Sequence, residues 1–422
     1  MDLLQPVRGT ADLLPEDKAR HNYVVSVAQD VACRSGFQDM ATPVFEFTQV
    51  FSRPLGASSD VVAKETYSFE DRGGTRLTLR PEGTASAMRA VISNGLTQSL
   101  PLRWFYAGPM FRYERPQKGR MRQFHQIGCE LIGPASPLAD AEIISVGAAI
   151  LSELKVLPHT KLHLNSLGDQ KSRMAYRRAL IDYLTQYRSS LSEESQRRLD
   201  SNPLRILDSK SEADQAILTE APRLPSYLSN EAKEHFDQVS ACLNKAAIEF
   251  VLDPLLVRGL DYYSMTVFEI EPVNKSEKSQ ASILSGGRYD NLISYIGGPE
   301  TPAAGFGSGI ERVMLSMDDD FFEIDYLPQL TIIPLSNKAW IKSNLLSNKL
   351  RERNIVVVNS SLNKSFKSQM RYANQIKSKY LMVVGDNELS NNEIELKELS
   401  SGIVTKMKFN LEEIYSKLIE NG

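Results

Sequence analysis

The sequence contains few of the residues that build disulfide frameworks and metal centres. Only three cysteines occur, Cys33, Cys129 and Cys242, and no two of them have CxxC spacing. The five histidines include no HExxH motif. A small, odd and scattered set of cysteines is typical of a reducing compartment. We therefore expect neither disulfides nor a structural metal, and we predict a cytoplasmic location.

Long hydrophobic runs are also missing. No apolar segment approaches the roughly 20 residues that a membrane-spanning helix needs. The N-terminus, MDLLQPVRGTADLLPEDK, carries acidic residues early and lacks the long apolar core of a signal peptide. We therefore predict that the protein does not contact a membrane. The 422 residues, of which 42% are hydrophobic, suffice for two or three domains.

Charge is unevenly distributed along the chain, whose formal net charge is -3. From Pro328 to the C-terminus there are fourteen Lys and Arg residues against nine Asp and Glu, so this segment carries +5 and residues 1–327 carry -8. A basic segment on an acidic protein suits a polyanionic partner. The alternative, from charge alone, is a solvated domain that is basic without binding anything.

Residue patterns predict the regular elements of the first three quarters of the chain. Helical patterns cover residues 16–36, 84–93 and 139–154, and strand-like segments cover 42–47, 104–114, 122–133, 255–270 and 283–290. Residues 303–317, AAGFGSGIERVMLSM, predict a glycine-rich turn that leads into a helix.

Changes in composition predict the domain organisation. Residues 171–249 are polar and helix-compatible, which predicts a helical insertion between two parts of one domain, 1–170 and 250–325. The acidic segment 317–329 ends near a proline and predicts a linker. Beyond it, apolar strands alternate with helices, which predicts a separate α/β domain over 328–422. The predicted fold class is α+β.

The segment 111–126, FRYERPQKGRMRQFHQ, concentrates positive charge around a single acid, Glu114. Its basic residues are Arg112, Arg115, Lys118, Arg120 and Arg122. If two strands flank a hairpin loop here, period-two alternation places Arg112 and Glu114 on one face. The matching face of the second strand then carries Arg122, Phe124, Gln126, Gly128 and Glu130.

This face is too polar for a core and has groups that suit a ligand. Guanidinium groups bind phosphate or carboxylate oxygens in bidentate fashion. Phe124 can lie against a base, and Gln126 and Glu130 can accept from an ammonium or imidazole group. The alternative is a solvated sheet face with salt bridges, which is common in antiparallel sheets.

Four further segments strengthen the prediction of a site. LRPEGTA (79–85) places Glu82 and Thr84 in a tight loop, although Thr84 could simply cap a helix. RGLDYY (258–263) places Arg258, Tyr262 and Tyr263 close together, although a packed strand end would look the same. SGGRYD (285–290) allows close backbone approach and supplies the Tyr289 hydroxyl, although an ordinary turn would look the same. GFGSGIER (305–312) is neither a Walker nor a dinucleotide-binding fingerprint.

Taken together, these motifs resemble those of histidyl-tRNA synthetases, which are class II aminoacyl-tRNA synthetases. The resemblance extends from VRGTADLLP (7–15) to the C-terminal domain. TPVFE (42–46) resembles motif 1, MFRYERPQKGRMRQFHQ motif 2 and GFGSGIERV motif 3. LVRGLDYY and GGRYD resemble the two histidine-specific signatures of this family.

The resemblance implies an activity and a set of functional residues. The activity is the conversion of histidine and ATP to histidyl-adenylate, followed by transfer to the 3′ end of tRNA(His). Arg112 and Arg258 are the implied catalytic residues. The implied histidine-binding residues are Glu82, Gly83, Thr84, Gln126, Glu130, Tyr262, Tyr263 and Tyr289. The implied ATP-binding residues are Arg112, Glu114, Phe124, Arg258 and Arg312, and the implied contacts to the tRNA acceptor stem are Arg115, Gln117, Lys118 and Arg120.

The family also implies partners and an architecture. ATP is expected as a substrate with Mg²⁺ on its phosphates, and a homodimer is expected to form through motif 1. The catalytic domain is expected to contain an antiparallel sheet with flanking helices, and the C-terminal α/β domain to bind the anticodon. We expect no editing domain and interpret residues 171–249 as a tRNA clamp, whose deletion should impair charging far more than adenylate formation.

Two other functions compete with this one. The first is a synthetase-like regulatory subunit of ATP phosphoribosyltransferase, which typically lacks the C-terminal domain and parts of the signatures. The second is a non-catalytic tRNA-sensing module of a regulatory kinase, which degenerate motif arginines would mark. Arg112, Arg258 and Arg312 are all present, and so is the C-terminal domain, so both alternatives are disfavoured.

Overall fold

The structure is a computed structural model that describes residues 3–55, 65–258, 260, 262–273, 282–318, 327–361 and 363–420. The chain divides into two compact units, Met1–Phe321 and Phe322–Gly422. None of the helices within the described ranges is long and apolar enough to cross a membrane.

The first unit is built on a large, mostly antiparallel sheet and a small one. Its strands are β1 (Gln38–Asp39), β2 (Phe45–Phe47), β3 (Tyr67–Glu70), β4 (Arg76–Leu79), β5 (Leu102–Phe111), β6 (Gln123–Ile132), β7 (Thr160–Ser166), β8 (Val251–Leu252), β9 (Ser264–Pro272), β10 (Leu284–Arg288) and β11 (Ala303–Gly309). The large sheet has the order β1-β5-β6-β11-β10-β9-β7-β8. Its six central strands pair antiparallel, and β1 and β8 add to the edges in parallel.

Strands β2, β4 and β3 form the small antiparallel sheet in that order. It leaves several large apolar side chains in solvent: Phe45 is 49% exposed, Phe47 62% and Phe69 44%. Glu46, between the two phenylalanines of β2, is buried and pairs with Arg89. The small sheet therefore exposes an apolar face to solvent, where a polar face would be expected.

The described residues of the first unit also form helices. They are α1 (Pro15–Arg34), α2 (Gln49–Leu55), α3 (Thr84–Ser93), α4 (Pro137–Glu153), α5 (Gln170–Thr185), α6 (Glu193–Ser201), α7 (Glu212–Leu218), α8 (Asn230–Lys245), α9 (Leu292–Tyr295) and α10 (Ile310–Ser316). One core contains side chains of α1, α4 and α8 together with Ile127, Cys129 and Leu131 of β6. This confirms the apolar face predicted for that strand, and it leaves the opposite face for the polar side chains.

The second core joins α3 to the helical insertion. It contains Leu180 and Leu184 of α5 in one cluster with the buried Tyr262, Tyr263 and Tyr289. Residues 171–249 contain helices α5 to α8 and lie within the same compact unit as the large sheet.

The second unit is a five-stranded α/β domain. Its strands are β12 (Leu330–Pro334), β13 (Val357–Asn359), β14 (Tyr380–Val384), β15 (Glu393–Glu398) and β16 (Val404–Lys408), and its helices are α11 (Asn337–Arg351), α12 (Phe366–Gln375), α13 (Asp386–Asn391) and α14 (Leu411–Ile419). The order β13-β12-β14-β15-β16 begins parallel and ends in an antiparallel hairpin. The predicted parallel strands and their two helices are confirmed, and β15, β16 and α14 extend the domain beyond that prediction.

Three local predictions need correction. Residues 303–309 are strand β11 rather than a turn, because their glycines leave room for side chains of the neighbouring strand β6. Of the predicted strand 255–270, the described residues before Ser264 lie in a loop. Only Phe45–Phe47 of the predicted strand 42–47 is extended and paired. The predicted linker lies partly outside the described residues, which omit 319–326.

Candidate active site

The centre of the candidate site is the carboxylate of Glu130 on β6, which is fully buried. Thr84 Oγ1 donates to its Oε1 at 2.7 Å, and the Tyr106 hydroxyl donates to the same oxygen at 3.0 Å. The Tyr289 hydroxyl donates to Oε2. Burial raises the pKa of Glu130 well above its ordinary value, the hydroxyl donors lower it, and the nearby carboxylate of Glu82 raises it. The site is thus a buried acceptor surrounded by hydroxyl groups.

Glycines on neighbouring strands make this arrangement possible. Strand β11 lies between β6 and β10, and a Cβ atom on Gly305 would overlap both the Glu130 carboxylate and the Tyr289 hydroxyl. A Cβ atom on Gly128 would overlap the ring of Tyr106. The sheet backbone therefore forms the floor of the site.

Glu82 lies beside Glu130 at the start of α3 and is also buried. Its carboxylate accepts from the backbone N–H of Thr84 at 2.6 Å and of Ala85 at 2.8 Å. Burial raises the pKa of Glu82, and these backbone hydrogen bonds and Arg112 oppose the shift. Gly83, which precedes the helix, has no room for a Cβ atom because the Tyr106 ring packs against it.

Gln126, two residues before Gly128 on the same face of β6, points across β11. A Cβ atom on Gly307 would overlap its Nε2 atom. Its Oε1 atom is buried, and none of the described residues donates a hydrogen bond to it. Because buried acceptors are nearly always hydrogen-bonded, this oxygen is suited to a donor group of a ligand.

Three tyrosines form one wall of the site. The ring centroids of Tyr262 and Tyr263 are 4.8 Å apart, and that of Tyr289 lies 5.6 Å from Tyr262 and 6.0 Å from Tyr263. All three side chains are at most 5% exposed. Burial raises the pKa of Tyr262 and of Tyr263, so both hydroxyl groups stay protonated near neutral pH.

Arg258 stands at the edge of this wall. It forms an ion pair with Glu269, donates from Nη2 to Ser285 Oγ at 2.8 Å, and lies 5.4 Å from the ring centroid of Tyr263. Its Nε atom is buried, and the described residues offer it no acceptor. Arg258 is therefore a fixed cation with one donor still available.

The first arginine of the basic segment, Arg112, is held close to Glu82. Its Nε atom donates to the carbonyl oxygen of Pro81 at 2.8 Å, and its guanidinium carbon lies 5.3 Å from the ring centroid of Phe124. Glu114 lies 3.8 Å from guanidinium nitrogens of both Arg112 and Arg120. Arg112 thus lies close to both Glu114 and Phe124.

Arg312 on α10 approaches the same cluster from the other side of the basic hairpin. It donates to the carbonyl oxygens of Gly119 at 3.0 Å and Ser282 at 2.9 Å. Burial together with the positive charges of Arg120 and Arg112 lowers its pKa to about 10. Cations that repel one another in this way are stabilised by an anion, so this end of the site suits a polyphosphate.

The residues at the hairpin tip face solvent. Gln117 and Arg120 exchange backbone hydrogen bonds of 3.0 and 2.9 Å and close the turn. The side chains of Arg115, Gln117, Lys118 and Arg120 are exposed. They are thus available to a large partner, and Arg120 also borders the cluster of Glu114 and Arg312.

Sequence reasoning missed two residues that shape the site. Tyr106 on β5 lies six residues before Arg112, so counting back in steps of two from Arg112 would have reached it. Arg80 donates to the carbonyl oxygens of Pro109 and Thr42, each at 2.9 Å, and so fastens the end of β5. No local pattern marks Arg80, because its partners are distant in sequence.

Comparison with known proteins assigns these features to a family. The model of the family described as histidyl-tRNA synthetase matches residues 9–313, and that of the anticodon binding domain matches residues 329–421. The chain belongs to the histidyl-tRNA synthetase family. The resemblance predicted from the motifs is therefore confirmed, and so is the predicted fold class with its antiparallel sheet and C-terminal domain.

Curated relatives of this family match nearly the whole chain. A histidine–tRNA ligase of Gluconacetobacter diazotrophicus is 48% identical over 95% of this chain and 95% of its own length. The histidine–tRNA ligase of Rhodospirillum rubrum is 46% identical over 95% of this chain and 96% of its own. The crystal structure of apo histidyl-tRNA synthetase from S. aureus has a TM-score of 0.82 and 32% identity, covering 99% of this chain and all of that one.

Proposed function

We propose that this protein activates L-histidine with ATP to histidyl-adenylate and transfers histidine to the 3′ end of tRNA(His). Family membership supports the reaction, and curated relatives of the same length carry this activity in their names. The observation that carries the proposal is the buried Glu130 carboxylate, encircled by hydroxyl groups on a floor of glycines. On the same strand lies the buried Gln126 oxygen, to which no described residue donates a hydrogen bond.

The polar groups of the pocket suit both ends of histidine. Glu130 and Tyr263 are proposed to pair with the two imidazole nitrogens, with Tyr262 and Tyr289 lining the ring. Glu82, Thr84 and Gln126 are proposed to accept from the α-ammonium group. A competitor without an imidazole would leave these buried groups unpaired, which costs about 10⁴–10⁵ in specificity.

The arginines suit the other substrate. The histidine carboxylate attacks the α-phosphorus itself, so the enzyme needs no nucleophile and acts through position and charge. Arg112 is proposed to bridge the carboxylate and the α-phosphate, with Arg258 as a second fixed cation at that phosphate and Arg312 on the γ-phosphate. Phe124 and Glu114 are proposed to hold the adenine.

Mg²⁺ is proposed to arrive as part of the MgATP substrate. No group of three or more His, Cys, Asp or Glu side chains suited to a metal occurs among the described residues. Mg²⁺ commonly relies on substrate phosphates and only one or two carboxylates. Binding through ATP therefore fits the side chains present.

Two surfaces are proposed to meet tRNA(His). Arg115, Gln117, Lys118 and Arg120 at the hairpin tip are proposed to contact the acceptor stem. The C-terminal domain, with its net charge of +5 and its match to an anticodon-binding domain, is proposed to bind the anticodon. Binding of this kind weakens steeply with salt because counterions are released from the phosphates.

Assembly and location complete the proposal. The exposed phenylalanines of the β2-β4-β3 sheet are proposed to be covered by a second copy of the chain, which would give a homodimer. The proposed location is the cytoplasm, where tRNA and ATP are present.

The proposal is tested by measuring histidine-dependent ATP–pyrophosphate exchange beside the transfer of labelled histidine to tRNA. Both activities are expected. Exchange without charging would contradict the second step. Histidine binding with neither activity would contradict the reaction and favour the regulatory subunit of ATP phosphoribosyltransferase.

A further inference from the structure

We infer that the helical insertion is part of the support of the histidine pocket, and that Arg173 and His235 within it are positioning residues for Tyr263 and Tyr289. The inference rests on the proposed function, because it concerns how that pocket is held in shape. It goes beyond a role of the insertion in binding tRNA.

The first link begins at α5. Arg173 Nη1 donates to the backbone carbonyl oxygen of Tyr263 at 2.9 Å. The entry to the insertion is tied to the same segment, since Leu167 N–H donates to the Met265 carbonyl at 2.6 Å and Met265 N–H donates to Gly168 at 3.1 Å. The backbone around Tyr263 is therefore held by α5 and by the segment that joins β7 to α5.

The second link begins at α8 and passes through a buried ion pair. His235 Nε2 lies 2.7 Å from Asp140 Oδ2, and Arg288 Nε donates to Asp140 Oδ1 at 2.8 Å. Arg288 is 1% exposed and Asp140 2%. Although burial raises the pKa of Asp140, its contacts with His235 and Arg288 lower it overall, so the carboxylate stays ionised.

This ion pair fixes the residue next to Arg288. The two guanidinium Nη atoms also donate to the carbonyl oxygens of Pro134 at 3.2 Å and Ser136 at 3.0 Å, so Arg288 is held from several sides. Tyr289 follows directly in the chain and points to Glu130. A shift of Asp140 would therefore move Arg288 and, with it, the hydroxyl group of Tyr289.

The packing agrees with these two links. Tyr262, Tyr263 and Tyr289 share one hydrophobic core with Leu180 and Leu184 of α5. Deleting residues 171–249 would thus open the core behind the tyrosines. Single substitutions are therefore a cleaner test of these links than the deletion.

The test measures the KM for histidine and for ATP in pyrophosphate exchange, and the Kd for histidine by calorimetry, in the full-length protein. His235→Leu and Arg173→Met should each raise the histidine KM and Kd roughly three- to tenfold. This change corresponds to part of the free energy that is lost when a hydrogen bond to a charged group is removed. The KM for ATP should stay within twofold. His235→Gln, which keeps a donor near the Nε2 position, should restore histidine binding to within twofold.

Tyr183→Phe is the matched control. It removes the hydrogen bond from Tyr183 to the carbonyl oxygen of Ile217 at 2.9 Å, which lies wholly within the insertion. It should lower the unfolding temperature without changing the histidine Kd. If His235→Leu does not fold, Arg173→Met and Arg173→Lys provide the same comparison.

Two results would overturn the inference alone. One is an unchanged histidine Kd in both His235→Leu and Arg173→Met while wild type exchanges pyrophosphate normally. The other is an equal rise in Tyr183→Phe, which would indicate general loosening. A wild-type protein that fails to bind histidine would overturn both the proposed function and this inference.

Discussion

Tyr289 donates a hydrogen bond to Glu130 across a whole intervening strand of the sheet. The contact exists because Gly305, on the strand between them, has no side chain. The polar centre of the site is thus assembled over bare backbone, and several consequences can be measured.

Gly305→Ala should abolish useful histidine binding. Its methyl group would overlap the Glu130 carboxylate and the Tyr289 hydroxyl, and overpacking of this kind costs about 1–3 kcal/mol. The histidine KM in pyrophosphate exchange should rise roughly 100-fold, at the upper end of that cost. Gly309→Ala is the control on the same strand, because its nearest neighbour would be 3.6 Å away. Equal KM values in the two variants would refute the account.

Arg258→Ala should reduce the rate of adenylate formation far more than histidine binding. Loss of one fixed electrostatic donor typically lowers kcat by about 10²–10³. The measurement is kcat and KM in pyrophosphate exchange, with circular dichroism to confirm folding. Arg103→Ala, which breaks a half-buried pair with Glu142, should change neither value. Near-normal exchange by Arg258→Ala would show that Arg258 is not a catalytic residue.

Glu130→Gln should stabilise the ligand-free protein while destroying histidine binding. The pKa of Glu130 is raised in the folded protein, so wild-type stability falls as pH rises through that pKa. The variant should therefore unfold at a higher temperature than wild type at pH 8. The difference should shrink as pH falls and wild-type Glu130 takes up its proton. A difference that stays constant with pH would contradict the assignment.

Three exposed basic side chains on α5 test the role of the insertion in tRNA binding. They are Lys171, Arg177 and Arg178. Changing all three to Gln should lower charging about tenfold, reduce its salt dependence and leave pyrophosphate exchange within twofold. Arg188→Gln and Lys233→Gln, exposed elsewhere on the insertion, are the controls. Normal charging by the triple variant would contradict a contact between these three side chains and tRNA.

Phe47→Glu should convert a dimer to a monomer. Phe47 is 62% exposed on the small sheet, and a charge there would be costly in a self-complementary interface. Sedimentation velocity at several protein concentrations measures the change. Phe366→Glu, at a 49% exposed position in the C-terminal unit, should leave the mass unchanged. A wild-type monomer at micromolar concentration would contradict the proposed assembly.

The sequence predicts those parts of the fold and site that have a local signature. Alternation along residues 122–133 separates the Gln126 and Glu130 face from the Ile127 and Cys129 face, as observed. Helix α3 runs over the predicted residues 84–93. The motif resemblance supplies roles that no pattern of this chain could supply by itself.

What the sequence could not predict depends on contacts between distant segments. The glycine content of residues 303–309 predicted a turn. Glycine suits a strand only where a side chain of a neighbouring strand needs the space, and the sequence does not show which side chain lies opposite. The Arg288–Asp140 pair joins residues 148 apart, and His235 lies 95 residues from Asp140. Such partners become visible only when the sheet brings them together.

The separation of Glu130 and Tyr289 along the chain also determines when the site can form during translation. The two residues are 159 positions apart, so at 5–20 residues per second the tyrosine leaves the ribosome roughly 8–30 s after the glutamate. During that interval Glu130 lacks one of its hydroxyl donors, and water must solvate its carboxylate. The pocket can therefore close only late in translation, when nearly all of the first unit has been made.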